Sequence, residues 1–157
     1  MARIRKIVDK IYDRLPKKYR IPVEIHKSRI DMLRQAYRNT RGKEPTKEEL
    51  EEYDEMYRRW VTDNKYEENA NKFRIKSTNK KKHSKYSLIG LGGNPILLNR
   101  YSLDEEDDDY IAHTILHEIK HNICTQEGMT YDYKEEKLAN MFAYRWVKIL
   151  KKDGIIK

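Results

Sequence analysis

Residues 117–121 read His-Glu-Ile-Lys-His, the HExxH pattern, which places two histidines four positions apart. On an α-helix, positions i and i+4 lie on one face with Cβ atoms about 5–6 Å apart. Both imidazoles can therefore reach one zinc ion at about 2.0–2.1 Å. Glu118 projects beside them, where its carboxylate can take a proton from an activated water. The spacing predicts a hydrolytic zinc site with His117 and His121 as ligands and Glu118 as general base. The alternative is a pair of surface histidines on a polar helix face.

A third ligand has to come from outside this pattern, because no histidine follows His121. Catalytic zinc sites usually have three protein ligands and one open position. On the predicted final helix, Glu136, Asn140 and Ala143 recur on one face, and this predicts Glu136 as the third ligand. Glu135 points about 100° away on an ideal helix and is the weaker candidate. Asn140 is then placed to hydrogen-bond a ligand histidine from behind.

Several further residues near this pattern are candidates for lesser roles. His113 lies one helical turn before His117, but three ligands from one straight helix fit a tetrahedral site poorly, because each i+4 step drifts by about 40°. We interpret His113 either as a residue behind the ligands or facing substrate, or as a plain histidine of the helix surface. Tyr131 and Tyr133 are candidate donors to an oxyanion. Cys124 is interpreted as a small buried hydrophobe.

Two long helices have to position these side chains. Apolar residues at helical spacing predict the first over 104–124 and the second over 133–151, with a loop containing Gly128 between them. The rest of the chain is predicted to form helices over 4–15, 28–39 and 46–61 and strands over 21–25, 73–75, 86–91 and 96–99. Ser28 is the predicted cap of the second of these helices, and residues 46–49 have the capping-box pattern at the start of the third. The predicted fold class is α+β, with a small, mostly antiparallel sheet packed against the HExxH helix and the final helix, and with extra N-terminal helices.

Charge is unevenly distributed along the 157 residues, whose formal net charge is +8. Residues 104–109 read DEEDDD. We interpret them as the first turns of the HExxH helix, where negative charge suits the positive end of the helix dipole. The basic run at 76–85 lacks interleaved arginine and aromatic residues, so a solvated loop is favoured over binding to nucleic acid.

Composition narrows the class of protein further. The chain has one cysteine, no apolar stretch long enough to cross a bilayer and no signal-like N-terminus, which predicts a cytoplasmic protein with no membrane association. Its length fits a single domain over 1–157. Within it we expect an N-terminal helical and strand portion over 1–80 and a catalytic core over 81–157.

Residues 86–150 resemble the gluzincin metallopeptidases, and more specifically the ImmA/IrrE-type proteins and the minimal gluzincins. These families share a strand, an HExxH helix and a second helix that reads roughly Glu-x-x-Ala-Asn-x-Phe-Ala. This chain has matching segments at 96–99, at 117–121 and at 136–143. It departs at Lys120, where many members have glycine, and in the short spacing between the second histidine and the glutamate.

The resemblance implies a zincin-like catalytic core with one zinc ion bound by His117, His121 and Glu136, and with Glu118 as general base. In zincins an edge strand beside the metal helix pairs with an extended substrate. The predicted hairpin of the strands at 86–91 and 96–99 could serve in this way, and its ordinary interpretation is a part of the core sheet. The implied activity is zinc-dependent hydrolysis of a peptide or protein substrate. The alternative is a catalytically silent, zinc-stabilised binding module that recognises a regulatory protein or nucleic acid through its basic surface.

Overall fold

The computed structural model describes residues 2–64, 90–128 and 133–157, without the side chains of residues 60–64, 133 and 134. In chain order the elements are α1 (Ala2–Arg14), a 3-10 helix (Lys17–Tyr19), β1 (Val23–His26), α2 (Arg29–Arg41), α3 (Lys47–Asn64), β2 (Gly90–Leu91), β3 (Ile96–Asn99), α4 (Arg100–Leu103), α5 (Asp108–Gln126) and α6 (Tyr133–Lys152). This is a mostly helical α+β fold. The predicted strand at 73–75 and the basic run at 76–85 lie outside the described residues.

The sheet of the described residues is mixed, which corrects the prediction of a mostly antiparallel sheet. Its strand order is β1-β3-β2, with β3 in the centre. β3 runs parallel to β1, from the pair Val23–Ile96 to the pair His26–Asn99, and antiparallel to the shorter β2. The prediction was wrong because only β2 and β3 are joined by a tight turn. β1 and β3 are separated by α2 and α3, and a connection of that length permits parallel pairing.

Helix α1 is amphipathic and packs its apolar face onto α5. Its buried residues, Ile4, Ile7, Val8 and Ile11, recur at helical spacing and belong to the same core cluster as the isoleucines of α5. Near the N-terminal end of α1, the Arg3 guanidinium donates hydrogen bonds to the acidic run at residues 104–109, part of which lies in α5. The N-terminal helix is therefore joined to the HExxH helix by apolar packing and by an ion pair.

Helices α2 and α3 begin where the sequence predicted caps. The Ser28 hydroxyl accepts a hydrogen bond from the backbone N–H of Asp31, at the start of α2. Before α3, the Thr46 hydroxyl accepts from the Glu49 backbone N–H at 3.1 Å, while the Glu49 carboxylate accepts from the Thr46 backbone N–H at 3.1 Å. Helices α2 and α3 pack around Leu97 of β3 and form with it a second apolar cluster, which consists of Met32, Leu33, Ala36, Tyr37, Leu50, Tyr53 and Leu97.

Helix α5, which carries the HExxH pattern, begins at Asp108 rather than at residue 104. The acidic run therefore provides its N-cap, Asp107, and its first turn, while residues 104–106 form a turn after α4. The prediction that the whole run lies in this helix was wrong for its first half. A helix that began at residue 104 would place Asp104 and Asp108 next to each other on one face, at i and i+4. Like charges at that spacing are destabilising.

Helix α6 packs along α5 through small residues. Ala139 and Ala143 have no exposed surface, and they allow the two helix backbones to approach closely. The α5 residues in contact with α6 include His113 and His117, which reach Asn140, and Lys120, whose ammonium lies over the Phe142 ring. Elsewhere on α5, Ile115 and Ile119 are fully buried in the main core cluster, and each contributes about 1.5–3 kcal/mol to folding by leaving water. Within the described residues, none of the helices combines the length and apolar character that a membrane span requires.

Candidate metal centre

The close packing of α5 and α6 brings three ligand atoms together. His117 Nε2 lies 2.9 Å from Glu136 Oε1, and His121 Nε2 lies 3.0 Å from Glu136 Oε2. The two Nε2 atoms are 3.0 Å apart. One ligand atom from each residue thus lies within 4.8 Å of the others, as a shared metal ion requires. Histidines of one helix and a glutamate of the next form a possible metal site, with the residues that the spacing predicted.

The orientation of His117 is determined from behind by Asn140. His117 Nδ1–H donates to Asn140 Oδ1 at 2.7 Å, so Nε2 is the ring nitrogen that faces Glu136. A histidine ligand that donates its second nitrogen to a fixed acceptor is the usual arrangement behind a metal site, because the acceptor selects the tautomer. The hydrogen bond between Asn140 and a site histidine is thus present in the structure.

Glu135 lies behind the second histidine. Its carboxylate is 1 % exposed, and Oε2 lies 3.4 Å from His121 Nδ1, an ion-pair distance rather than a hydrogen bond. The same carboxylate interacts with the thiol of Cys124, whose pKa is raised by burial and by this contact. Cys124 is fully buried, as expected of a small hydrophobe. The neighbouring glutamates therefore differ in position: Glu136 faces the Nε2 atoms, and Glu135 faces the opposite side of one imidazole.

His113 contacts Asn140 and has no place in the triad. Its Nε2 lies 3.0 Å from Asn140 Oδ1, so this single oxygen accepts from His113 and from His117. His113 is 5 % exposed, so the interpretation as a plain surface histidine is wrong. It helps to position Asn140, one step further from the ligand atoms. Its interaction with substrate is not tested by the structure.

Glu118 lies beside the triad and outside its hydrogen bonds. It is 8 % exposed, and burial is the largest influence on its carboxyl group, whose pKa is raised. Positive charge on His117 and His121 opposes this shift, and the Glu136 carboxylate adds to it. A buried carboxylate with a raised pKa and two imidazoles nearby has the environment of a group that exchanges protons.

The carboxylates in and around the triad favour a positive charge on His121. Burial alone lowers the pKa of His121, but the hydrogen bond to Glu136 and the charges of Glu118, Glu136 and Glu135 outweigh it and raise the pKa to about 9. Burial acts against ionisation of Glu136, yet its contacts with His117 and His121 lower the pKa of that carboxyl. In the metal-free protein a proton therefore occupies the place that a cation would take.

Three contributions to the site were not predicted from the sequence. Glu135 was weighed only as a weaker ligand, although a carboxylate adjacent to Glu136 is a recognisable signal for a group behind a metal histidine. Tyr57 lies in α3, where burial, a hydrogen bond with Tyr53 and the negative charge of Glu118 raise the pKa of its phenol. The third contribution is the glycine turn after β2, which lies against Glu118; no short-range sequence signal connects α3 or this turn to α5.

The two tyrosines proposed as oxyanion donors fall largely outside the described structure. Tyr131 lies outside the described residues. Tyr133 is the first residue of α6, but its side chain is not described. Their roles stay predictions.

Comparison with protein-family models, with curated proteins and with solved structures found no match for this chain. The triad and its surroundings are therefore the evidence on which a function can be proposed.

Proposed function

We propose that this chain is a zinc-dependent peptidase of the gluzincin type, as its resemblance to that group implies. One observation carries the proposal: two histidine Nε2 atoms and a carboxylate from a neighbouring helix converge, with the buried Glu118 beside them. The set His117, His121 and Glu136 is of the two-histidine, one-glutamate type that binds catalytic zinc and leaves a fourth position for water or substrate.

The residues fit a zinc ion by chemistry and by spacing. Two imidazole nitrogens and one carboxylate oxygen are borderline donors that suit zinc better than magnesium or calcium, which prefer oxygen alone. Ligand atoms about 2.0–2.1 Å from a tetrahedral ion lie about 3.3 Å from one another. The two Nε2 atoms are 3.0 Å apart, and each lies 2.9–3.0 Å from a different oxygen of Glu136, which is only a few tenths of an ångström shorter. A small outward adjustment of His117, His121 and Glu136 would accommodate the ion.

When bound, zinc would act as a Lewis acid that polarises the scissile carbonyl and increases the acidity of a water molecule. Glu118 takes one proton from that water molecule as the water oxygen attacks the carbonyl carbon. It then donates the proton to the leaving amine nitrogen as the carbon–nitrogen bond breaks. Asn140 holds His117 in the tautomer that presents Nε2, and Glu135 favours the same presentation by His121.

The peptidase activity is tested by a charge-neutral substitution of the proton carrier. We expect Glu118→Gln to retain zinc, because Glu118 is not a ligand, and to lower peptide cleavage by about 10²–10⁴-fold. The substrate mixture is a tryptic digest of a bacterial proteome with blocked amines, and the readout is the number of new amino termini found by mass spectrometry. Glu127→Gln is the matched control, because Glu127 is exposed at the C-terminal end of α5, and it should cleave like the parent.

The outcome also separates the proposal from its alternative. Cleavage by zinc-loaded protein that is lost with Glu118→Gln supports the peptidase. Stoichiometric zinc without any Glu118-dependent cleavage would contradict it and favour the zinc-stabilised binding module. Steeply salt-dependent binding of DNA by that protein would identify nucleic acid, rather than a regulatory protein, as the partner of such a module.

A further inference from the structure

We propose that the turn after β2, held by Asn122, is the positioning element for Glu118, and that Gly92 has to lack a side chain so that the carboxylate can occupy its working position. The inference rests on the proposed function, because it concerns the group assigned there as proton carrier. It adds residues outside the HExxH pattern to the machinery of the site.

Asn122 attaches the turn to the metal helix. It follows Glu118 by four positions on α5, so both side chains lie on one face of that helix. The Gly93 backbone N–H donates to Asn122 Oδ1 at 2.9 Å, and Asn122 is 8 % exposed. Within the described residues, this side-chain hydrogen bond joins the turn to α5. Residues 92–94 of the turn are exposed, whereas Asn122 is buried, so its amide oxygen offers the turn a fixed acceptor and determines where the turn lies.

The attached turn leaves little room for a side chain at Gly92, and the end of the Glu118 side chain would have to move by a few tenths of an ångström to admit one. A Cβ built there would lie 3.0 Å from Glu118 Oε2 and 3.4 Å from the Cβ atom of His121. One residue of β2 contributes to the same surface, since a Cβ at Gly90 would lie 3.5 Å from Glu118 Cγ. The backbone of residues 90–92 is therefore a close wall along the Glu118 side chain.

The requirement for glycine at residue 92 comes from space rather than from backbone conformation. Gly93 has a φ of 133°, in the region that side chains rarely adopt, whereas Gly92 is not among the glycines with positive φ. Alanine at 92 is thus compatible with the backbone, and its main effect is on the neighbouring carboxylate. This makes Gly92→Ala a specific probe of where Glu118 lies.

Acetohydroxamate provides a readout that does not require a substrate. It is a small bidentate ligand of zinc, and its acidic hydrogen needs an acceptor beside the ion, which Glu118 would supply. We expect Glu118→Ala to raise the dissociation constant of acetohydroxamate by about tenfold or more, the effect of losing a hydrogen bond to a charged group. Isothermal titration of zinc-loaded protein measures this constant.

Gly92→Ala should weaken acetohydroxamate by a similar factor, with zinc still bound. Combined with Glu118→Ala it should have no further effect, because no carboxylate remains to be displaced. Such non-additivity is the mark of two residues that act through one interaction. Asn122→Ala should also weaken binding in a Glu118-dependent way, because it releases the turn without adding bulk, and it decides the question if Gly92→Ala does not fold.

Gly42→Ala is the matched control. Gly42 ends α2 with a φ of 71° and has no atom within 4 Å of a built Cβ. We expect it to lower stability and leave the dissociation constant of acetohydroxamate unchanged. Binding like the parent by both Gly92→Ala and Asn122→Ala, or effects that simply add to that of Glu118→Ala, would overturn the inference. Absence of zinc, or binding that is unaffected by Glu118→Ala, would instead overturn the proposed function.

Discussion

The choice of imidazole nitrogen is the feature on which the site depends at the scale of single residues. Asn140 and Glu135 both face Nδ1 atoms, of His117 and His121 respectively, and so both histidines present Nε2 towards Glu136. An amide oxygen fixes a tautomer without adding charge, whereas a carboxylate also makes its imidazole a stronger donor to a cation. Glu135 and Glu136 are consecutive in the chain, yet they act on opposite sides of one ring.

The two glutamates should therefore differ in their effect on zinc affinity. Glu135→Gln keeps an oxygen behind His121 but removes its charge, and we expect a 10–100-fold loss of affinity, typical of groups behind metal ligands. Glu136→Gln removes a ligand and should cause a larger loss. Competition titration with a chromophoric chelator measures both constants. A larger loss for Glu135→Gln would show that the ligand assignment is reversed, and equal losses would contradict the predicted difference between the two glutamates.

Much of this residue-scale arrangement follows from helical geometry and could be predicted. The spacing of His117 and His121 places them on one face, and the periodicity of the final helix distinguishes Glu136 from Glu135. The periodicity of a helix cannot reveal which residues of other elements pack against its functional face. The contributions of Gly92 and Tyr57 depend on tertiary packing, so no pattern in the sequence could have indicated them.

Two helices and a short hairpin form the element-scale framework of the site. The α5–α6 contact sets the separation between the histidines and Glu136, and the buried Ala139 and Ala143 permit their close approach. The hairpin of β2 and β3 closes the side of Glu118. Capping signals predicted where α2 and α3 begin, because a cap is a local interaction. The parallel pairing of β1 with β3 was missed, because it joins segments far apart in the chain.

A larger side chain between the two helices should therefore disrupt the metal site. We expect Ala143→Leu to lower the free energy of unfolding by about 1–3 kcal/mol through overpacking. It should also weaken zinc binding, because Glu136 moves away from the Nε2 atoms. Chemical denaturation and chelator competition measure the two effects. Arg145→Leu, at an exposed position of the same helix, is the control, and zinc affinity equal to the parent's in Ala143→Leu would refute the role of close packing.

Charge organises the whole molecule in a way that the net value of +8 does not convey. The acidic run contributes Asp107 and Asp108 to the N-terminal end of α5, and the Arg3 guanidinium donates to Asp108 Oδ1 at 2.7 Å and to the Glu106 carbonyl oxygen at 2.7 Å. The acids thus join α1 to the metal helix and suit its dipole. At the triad, against the effect of burial, Glu136, Glu118 and Glu135 raise the pKa of His121 to about 9, so that a proton on His121 takes the place of a cation in the metal-free protein.

The proton on His121 makes the stability of the metal-free protein depend on pH. The pKa of His121 is about 9 in the folded state and about 6.5 when unfolded, so folding favours the protonated form. The contribution is complete below pH about 6.5 and is lost as the pH rises through about 9. The unfolding midpoint of chelator-treated protein should fall over this range more steeply than that of His121→Gln. Parallel pH profiles for the two proteins would contradict the raised pKa.

Zinc should remove the contribution of His121 to this dependence between pH of about 6.5 and about 9. The ion binds the unprotonated imidazole, so its apparent affinity increases as the pH rises towards 9. Bound metal stabilises the folded state in proportion to the logarithm of its concentration over its dissociation constant. The zinc-loaded protein should accordingly gain stability relative to the chelator-treated protein between pH 6.5 and 9. A difference in unfolding midpoint that does not change with pH would indicate binding elsewhere.

The most direct test of the central claim is the metal content of the purified protein, measured by inductively coupled plasma mass spectrometry after dialysis against trace zinc. The proposed function predicts close to one zinc ion per chain, and loss of that ion in the double variant His117→Ala/His121→Ala. Glu127→Gln should retain the same content as the parent. A protein that binds no zinc under these conditions, or a double variant that retains it in full, would contradict the assignment of His117, His121 and Glu136 as a metal centre.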